Sequence, residues 1–475
     1  MLFNSLEFLI FLPIIFAIYW LANKRSLQLQ NGLLLVGSYC FYAFWDWRFL
    51  FLLMFSTGLD YFTGVKMYES ENNNNKKFWF WLSIIINLGF LGIFKYYNFF
   101  VESFSAALSD LGFRTNFWGL QVILPVGISF YTFHGLSYVI DIYKNRIIPE
   151  KNIITYSLFV SYFPLLVAGP IERATHLLPQ IKKQRKFNHS LAIQGVKQII
   201  WGLFKKVVIA DNCAFFVNQL FKNTDGYSAP ELWMGMVFFA FEIYGDFSGY
   251  SDIALGTSKL FGIELLRNFN FPYFAKDIAD FWRRWHISLS SWFRDYLYIP
   301  LGGSQGGKGM RVRNTFIIFL VSGFWHGANW TFIVWGSIHA LLFLPLLISD
   351  KNRSSLGNTN YSMKDIPKIL FTFLCVCLAW VFFRADNLIE AIHYITGMFS
   401  SEHPSLHFFY KNAKYGLLTV LCLISILFLI VVEWNNVKKS NYEIQLPKAI
   451  VFILLFMICF MGAYKNQLSF IYFQF

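Results

Sequence analysis

The chain has 475 residues, 56% of them hydrophobic and only 14% charged, against about 25% charged in ordinary soluble domains. This balance, with a positive mean hydropathy, excludes a soluble globular protein and points to an integral membrane protein. The formal charge of +13 would suit a nucleic-acid binder, but 21% aromatics and long uncharged runs assign the basic groups to loops and membrane edges, where they set orientation.

A bilayer crossing takes about 20 mainly apolar residues in helical form, because unpaired backbone groups are not tolerated in hydrocarbon. In chain order, the runs that meet this fall near 6–22, 30–45, 49–65, 78–95, 122–140, 153–168, 193–221, 231–247, 315–348, 366–384, 415–433 and 447–463. The expected fold is therefore all-α, a polytopic membrane protein of about 10–12 membrane segments with re-entrant ones among them. The first run lacks a preceding Lys or Arg and a small-residue cleavage pattern, so it reads as a retained span. The region 96–120 mixes apolar and polar residues and reads as an interfacial amphipathic helix. The run near 315–348 is long enough for one tilted span or for two shorter ones broken around Gly336.

Lys24 and Arg25 after the first span, and Lys66, Lys76 and Lys77 after the third, agree with a non-cytoplasmic amino terminus. The larger basic concentration comes later, at Lys182, Lys183, Arg185, Lys186, Lys205, Lys206, Arg283, Arg284, Arg294, Lys308, Arg311 and Arg313. Placing all of these on one side requires some central segments to dip in and return, for example Ile153 to Gly169, which ends in Ala168-Gly169-Pro170. Irregular backbone at membrane depth lines a cavity or is buried in protein, so a cytoplasm-facing funnel in mid-chain is expected. Asn72 to Asn75 and the stretch from Ser349 to Lys364 read as polar connections.

The candidate chemistry lies between Phe281 and His339. His326 sits in an apolar run, before Gly327 and beside Trp325. Two readings are open: a histidine hydrogen-bonded in a helical bundle, or a general base able to take a hydroxyl proton near neutral pH. His286 follows Arg283-Arg284-Trp285; it reads either as part of an interfacial helix anchored by Trp282, Trp285 and Trp292, or as an imidazole kept neutral by nearby cations. His339 is thirteen positions beyond His326, about 20 Å along a continuous helix, and reads first as core packing, as does His134. His176, His189, His393, His403 and His407 lie in polar stretches and read as solvated. Asp246 and Asp252 flank a glycine and serines that suggest a broken helix, which can mark an ion path. The six cysteines lack the spacing of a zinc site or a disulfide framework, and no metal is expected.

At these residues the chain resembles the membrane-bound O-acyltransferase family, in the branch of the alginate O-acetylase and the teichoic-acid D-alanyltransferase. The stretches that carry the likeness are 124–133, 163–173 with Leu178-Pro179-Gln180, 202–211, 246–254, 268–273, 281–303 and 470–475. The resemblance implies a multi-helix fold around a tunnel. Within one membrane-embedded domain over 1–475, it implies amino-terminal helices over 1–120, a catalytic core over 121–348 and carboxyl-terminal helices over 349–475. The family's Trp-His-Gly histidine maps onto His326 and its second active-site position onto His286. His339, Asp246, Trp325, Arg283, Arg284 and Arg294 are possible supporting residues. No bound cofactor is implied, and acetyl-CoA is the expected acyl donor. Its phosphates would suit the basic flank, though each of those cations is equally well explained as a positive-inside loop.

The expected activity is transfer of an acetyl group from a cytoplasmic thioester toward hydroxyls of an alginate-like exopolysaccharide or peptidoglycan. It would take place in the bacterial inner membrane, with an extracytoplasmic acetyltransferase partner completing the reaction. Two alternatives stand beside it: D-alanyl transfer from a carrier protein to teichoic acid, and a proton-coupled secondary transporter using Asp246, Asp252 and the histidines. The lack of an inverted repeat weighs against the transporter.

Overall fold

The structure is a computed structural model that describes residues 1–22, 26–113, 122–167, 169–356, 361–400, 404–439, 444–464 and 470–471. Lys24, Arg25, Ala168, His403 and the tail beyond 471 lie outside the described residues. All regular elements among the described residues are helices, and they group into two compact units. One comprises 1–195 and 257–266, the other 196–256 and 267–475. Among the described residues, four helices are long and apolar enough to cross a bilayer: Asn73–Asp110, Trp330–Ile348, Met363–Arg384 and Ala413–Lys438. Leu6–Ala22, Ile153–Leu166 and Lys448–Met461 are shorter apolar helices. Other helices on the expected list, such as Leu27–Glu69 and Ala229–Leu260, carry buried polar and charged side chains.

In the first unit the runs near 30–45 and 49–65 form one helix, Leu27–Glu69, kinked at Asp46 (φ −158°, ψ 112°). The Asp46 carboxylate explains the kink. Its Oδ1 accepts from the Arg48 backbone N–H at 2.9 Å, the side-chain-to-backbone bond that starts a new helix. Asp60, inside this helix, is buried and accepts from Ser83 Oγ (2.6 Å) and Asn87 Nδ2 (2.7 Å). The expected re-entrant stretch is broken into Ile153–Ser161 and Phe163–Leu166.

Arg185 corrects the charge reading. It is buried, donating to Tyr19 Oη (2.7 Å), Asn31 Oδ1 (2.6 Å) and the Ile181 carbonyl (3.1 Å), so it is a structural clamp and not a loop charge. His176 is likewise not simply solvated: its Nδ1 lies 2.8 Å from the buried Glu172 carboxylate, which also accepts from the Leu266 N–H. The Glu172 backbone N–H donates to His134 Nε2 (3.0 Å), so the buried His134 both packs in the core and accepts a hydrogen bond.

The helix Ala229–Leu260, whose residues 229–256 belong to the second unit, runs unbroken through Asp246 and Asp252, against the expected break. Both carboxylates are paired with lysines. Lys206 Nζ lies 2.8 Å from Asp246 and 2.8 Å from Asp211, and Lys205 Nζ 2.5 Å from Asp252. Both lysines project from a π-helical turn, Phe204–Ala210, and are buried. They are therefore interior counter-ions, not topology signals.

The long apolar run near 315–348 is two helices, Gly307–His326 and Trp330–Ile348, and the break is not at Gly336 but directly after His326. Asn329 caps the second helix, its Oδ1 accepting from the Thr331 N–H at 3.0 Å. Gly336 lies in mid-helix facing Gly323. A Cβ on either would stand 2.3 Å from a backbone carbonyl oxygen of the other helix, so the small residues set close approach instead of a break.

Candidate active site

The turn after Gly307–His326 leaves His326 as the last helical residue, before an extended Gly327 (φ −159°, ψ 153°). A Cβ on Gly327 would meet the Phe332 ring at 2.0 Å; only glycine lets that ring close over the turn. The buried His326 imidazole is packed edge-on by Trp325 (4.9 Å between ring centroids), Trp335 (5.0 Å) and Phe383 (5.4 Å).

His286 precedes the short helix Ile287–Phe293 in the left-handed backbone region (φ 43°, ψ 54°). A bulky side chain held there costs about 1–3 kcal/mol and persists only when its surroundings impose it. They do so through a two-sided clasp: the Ile287 N–H donates to the Asn268 carbonyl (2.9 Å) and the Asn270 N–H to the Arg284 carbonyl (3.0 Å). Ser288 Oγ adds a bond to Asn268 Oδ1 at 2.5 Å. The imidazole is buried, with the Phe247 ring edge-on at 4.7 Å and Trp325 at 5.9 Å. Burial pushes its pKa down to about 3, which keeps it neutral at physiological pH.

The two rings come together. The centroids of His286 and His326 are 6.5 Å apart, although forty positions separate them in the chain. His339 lies one layer further, with Trp335 between: the Trp335 ring is 5.0 Å from His326 and 4.9 Å from His339. Trp282 Nε1 donates to His339 Nδ1 at 3.3 Å.

Residues 144–385 match the model of the membrane-bound O-acyltransferase family. The chain is 38% identical to the peptidoglycan O-acetyltransferase of Helicobacter pylori, over 87% of this chain and 82% of that protein. The chain belongs to the membrane-bound O-acyltransferase family. It is 40% identical to a probable alginate O-acetylase of Pseudomonas putida over 84% of this chain and 80% of that one. To the teichoic acid D-alanyltransferase of Bacillus subtilis it is 29% identical, over 55% and 69%. This protein is thus a multi-pass membrane acyltransferase.

The other candidate residues of this acyltransferase take different places. Trp325 lines both histidines. Asp246 is engaged by Lys206 and by the Ile471 backbone N–H, which donates to its Oδ2 at 2.6 Å; the residue after it, Phe247, packs on His286. Arg284 pins the His286 loop, donating to Asp280 Oδ1 (2.9 Å), the Asn270 carbonyl (3.2 Å) and Tyr361 Oη (2.6 Å). Arg283 donates to the Asn352 carbonyl at 3.0 Å. Arg294 pairs with Asp295 (2.8 Å) on an exposed turn, and Arg311 and Lys308 share Asp350 at 2.8 and 3.2 Å. Much of the basic flank is therefore committed within the protein.

Sequence reasoning missed Trp335, Phe383, Phe247 and Asn268, which enclose or position the histidines, and Lys205 and Lys206, which hold the Asp246 helix. A signal existed for the lysines alone: two adjacent cations within an apolar run, where isolated charge is costly. The aromatics carried none, since each is one of many in an aromatic-rich chain.

Proposed function

We propose that this acyltransferase moves an acetyl group from cytoplasmic acetyl-CoA toward hydroxyls of a cell-envelope polysaccharide, alginate-like or peptidoglycan, in the bacterial inner membrane. The observation that carries the reading is the pair of buried imidazoles of His326 and His286, 6.5 Å apart within aromatic walls. A thioester is already activated, so the protein has to align it with a hydroxyl, take the hydroxyl proton and stabilise the developing oxyanion. His326 acts as the general base. The hydroxyl oxygen attacks the thioester carbonyl as His326 takes its proton; a C–O bond forms, the C–S bond breaks, and the proton passes to the departing thiolate to give free thiol. His286, neutral and held by its clasp, orients the donor carbonyl.

The bulky carriers stay on opposite sides of the membrane, and an exported or membrane-tethered acetyltransferase completes delivery to the polysaccharide. Acetyl is favoured over D-alanyl because the O-acetyltransferase relatives are 38–40% identical over 84–87% of the chain, whereas the D-alanyltransferase is 29% identical over 55%. A proton relay through Asp246 and Asp252 is disfavoured, since both acids are ion-paired to lysines. Membranes carrying the protein and given labelled acetyl-CoA should place label on extracytoplasmic polymer, and His326→Ala should lower that transfer by roughly 100-fold or more. Parental transfer by a correctly inserted His326→Ala variant would refute the base assignment.

A further inference from the structure

Trp335 and His339 are four positions apart on the helix Trp330–Ile348, so they share one face one turn apart. Both are fully buried, and neither Trp335 Nε1 nor His339 Nε2 has a hydrogen-bond partner among the described residues. The proton on His339 is fixed by its other nitrogen. An indole N–H only donates, so the bond from Trp282 Nε1 makes His339 Nδ1 the acceptor and leaves the neutral imidazole with its hydrogen on Nε2. The face therefore presents two N–H donors, with the buried Thr331 hydroxyl one turn before them, and the first of the donors belongs to the ring packed on His326 at 5.0 Å. Buried donors of this kind are satisfied by something in nearly all proteins.

We infer that Trp335 Nε1–H and His339 Nε2–H form a donor ladder that binds carbonyl oxygens of the acyl donor, leading from its thioester end at His326 along its amide-bearing arm. The polarity selects the ligand class. Thioester and amide carbonyl oxygens only accept hydrogen bonds, which matches two groups that only donate. The assignment rests on the acetyl-CoA reading above and extends it to two residues that reading does not use.

The test is binding, free of turnover. The full-length protein in detergent is titrated with the non-hydrolysable thioether analogue of acetyl-CoA. Trp335→Phe, which keeps an aromatic ring and removes the N–H, and His339→Met should each weaken binding about tenfold. His339→Gln, whose amide can donate from nearly the position of Nε2, should bind within about threefold of the parent. Equal binding by the parent, Trp335→Phe and His339→Met would overturn the ladder while leaving the donor reading intact. Loss of binding in His339→Gln equal to that in His339→Met would also overturn it, by showing that packing and not donation matters. Should His339→Met fail to fold, Trp335→Phe decides between the same two results. Failure of the parent itself to bind would remove the acetyl-CoA reading and the ladder with it.

Discussion

Replacing Lys206 by methionine isolates the contribution of the buried ion pairs that hold the Asp246 helix. The Lys206 side chain is 1% exposed and its Nζ lies 2.8 Å from both Asp211 and Asp246. Methionine fills a similar volume, so the packing loss is small. The larger effect is that two carboxylates, 2% and 4% exposed, lose their shared cation. Removing one partner of a buried pair costs about 3–5 kcal/mol, chiefly through the charge left behind. At about 2 °C per kcal/mol for a body of this size, Lys206→Met should unfold roughly 6–10 °C below the parent in a detergent thermal scan.

The same reasoning requires a rescue. In the triple variant Lys206→Met/Asp211→Asn/Asp246→Asn no uncompensated charge remains. The amide oxygen that Asp246→Asn introduces can still accept from the Ile471 N–H, so more than half of the loss should return. A single variant within about 1 °C of the parent, or a triple variant no more stable than the single, would refute this account.

The glycine contacts give a paired prediction. Gly336→Ala puts a Cβ 2.3 Å from the Phe319 carbonyl oxygen, whereas Gly416→Ala in the helix Ala413–Lys438 meets nothing within 4 Å. The first should lower stability by about 1–3 kcal/mol and the second should hold or raise it, both read from thermal unfolding. Gly327→Ala, with its Cβ 2.0 Å from the Phe332 ring, should displace His326 and cut acetyl transfer by roughly tenfold or more with the fold retained, as judged by gel filtration and unfolding. His286, whose folded pKa is pushed down to about 3, adds an acid sensitivity. Below about pH 6.5 the unfolded chain takes up a proton that the folded one refuses, so stability falls with falling pH, by about 2 kcal/mol from pH 6.5 to 5. His286→Asn should flatten that slope by the same amount, and an unchanged slope would show that His286 is not buried neutral.

The helices were legible as apolar runs and His326 as an ionisable group inside one, whereas His286, in a stretch with Arg283 and Arg284, was legible as a site residue only through the family resemblance. Where partners are distant in sequence, legibility fails. Lys205 looked like a topology charge because Asp252, which neutralises it, lies 47 positions away, and Lys206 because Asp246, one of its two partners beside Asp211, lies forty away. Arg185 misled in the same way, its acceptors Tyr19 and Asn31 being far upstream. The helix break was misplaced because Gly336 was weighed for its flexibility. The informative residue was Asn329, a cap just beyond Trp-His-Gly, and Gly336 serves close packing instead.

The aromatic enclosure explains what such a site must prevent as well as what it promotes. A general base beside a thioester will activate water as readily as an alcohol, and hydrolysis would consume the donor without acylating anything. Trp325, Trp335 and Phe383 pack edge-on around His326, and Phe247 around His286, leaving both imidazoles at most 2% exposed. Walls of this kind exclude bulk water and strengthen the electrostatic contacts inside. Their rigidity follows from the backbone: the left-handed conformation of His286 and the closed turn after His326 are each held by contacts that a looser protein would relax. On the proposed chemistry, widening the wall with Phe383→Ala should raise acetyl-CoA hydrolysis relative to transfer. If the two rates fell in equal proportion, the wall would be acting through stability alone and not through exclusion of water.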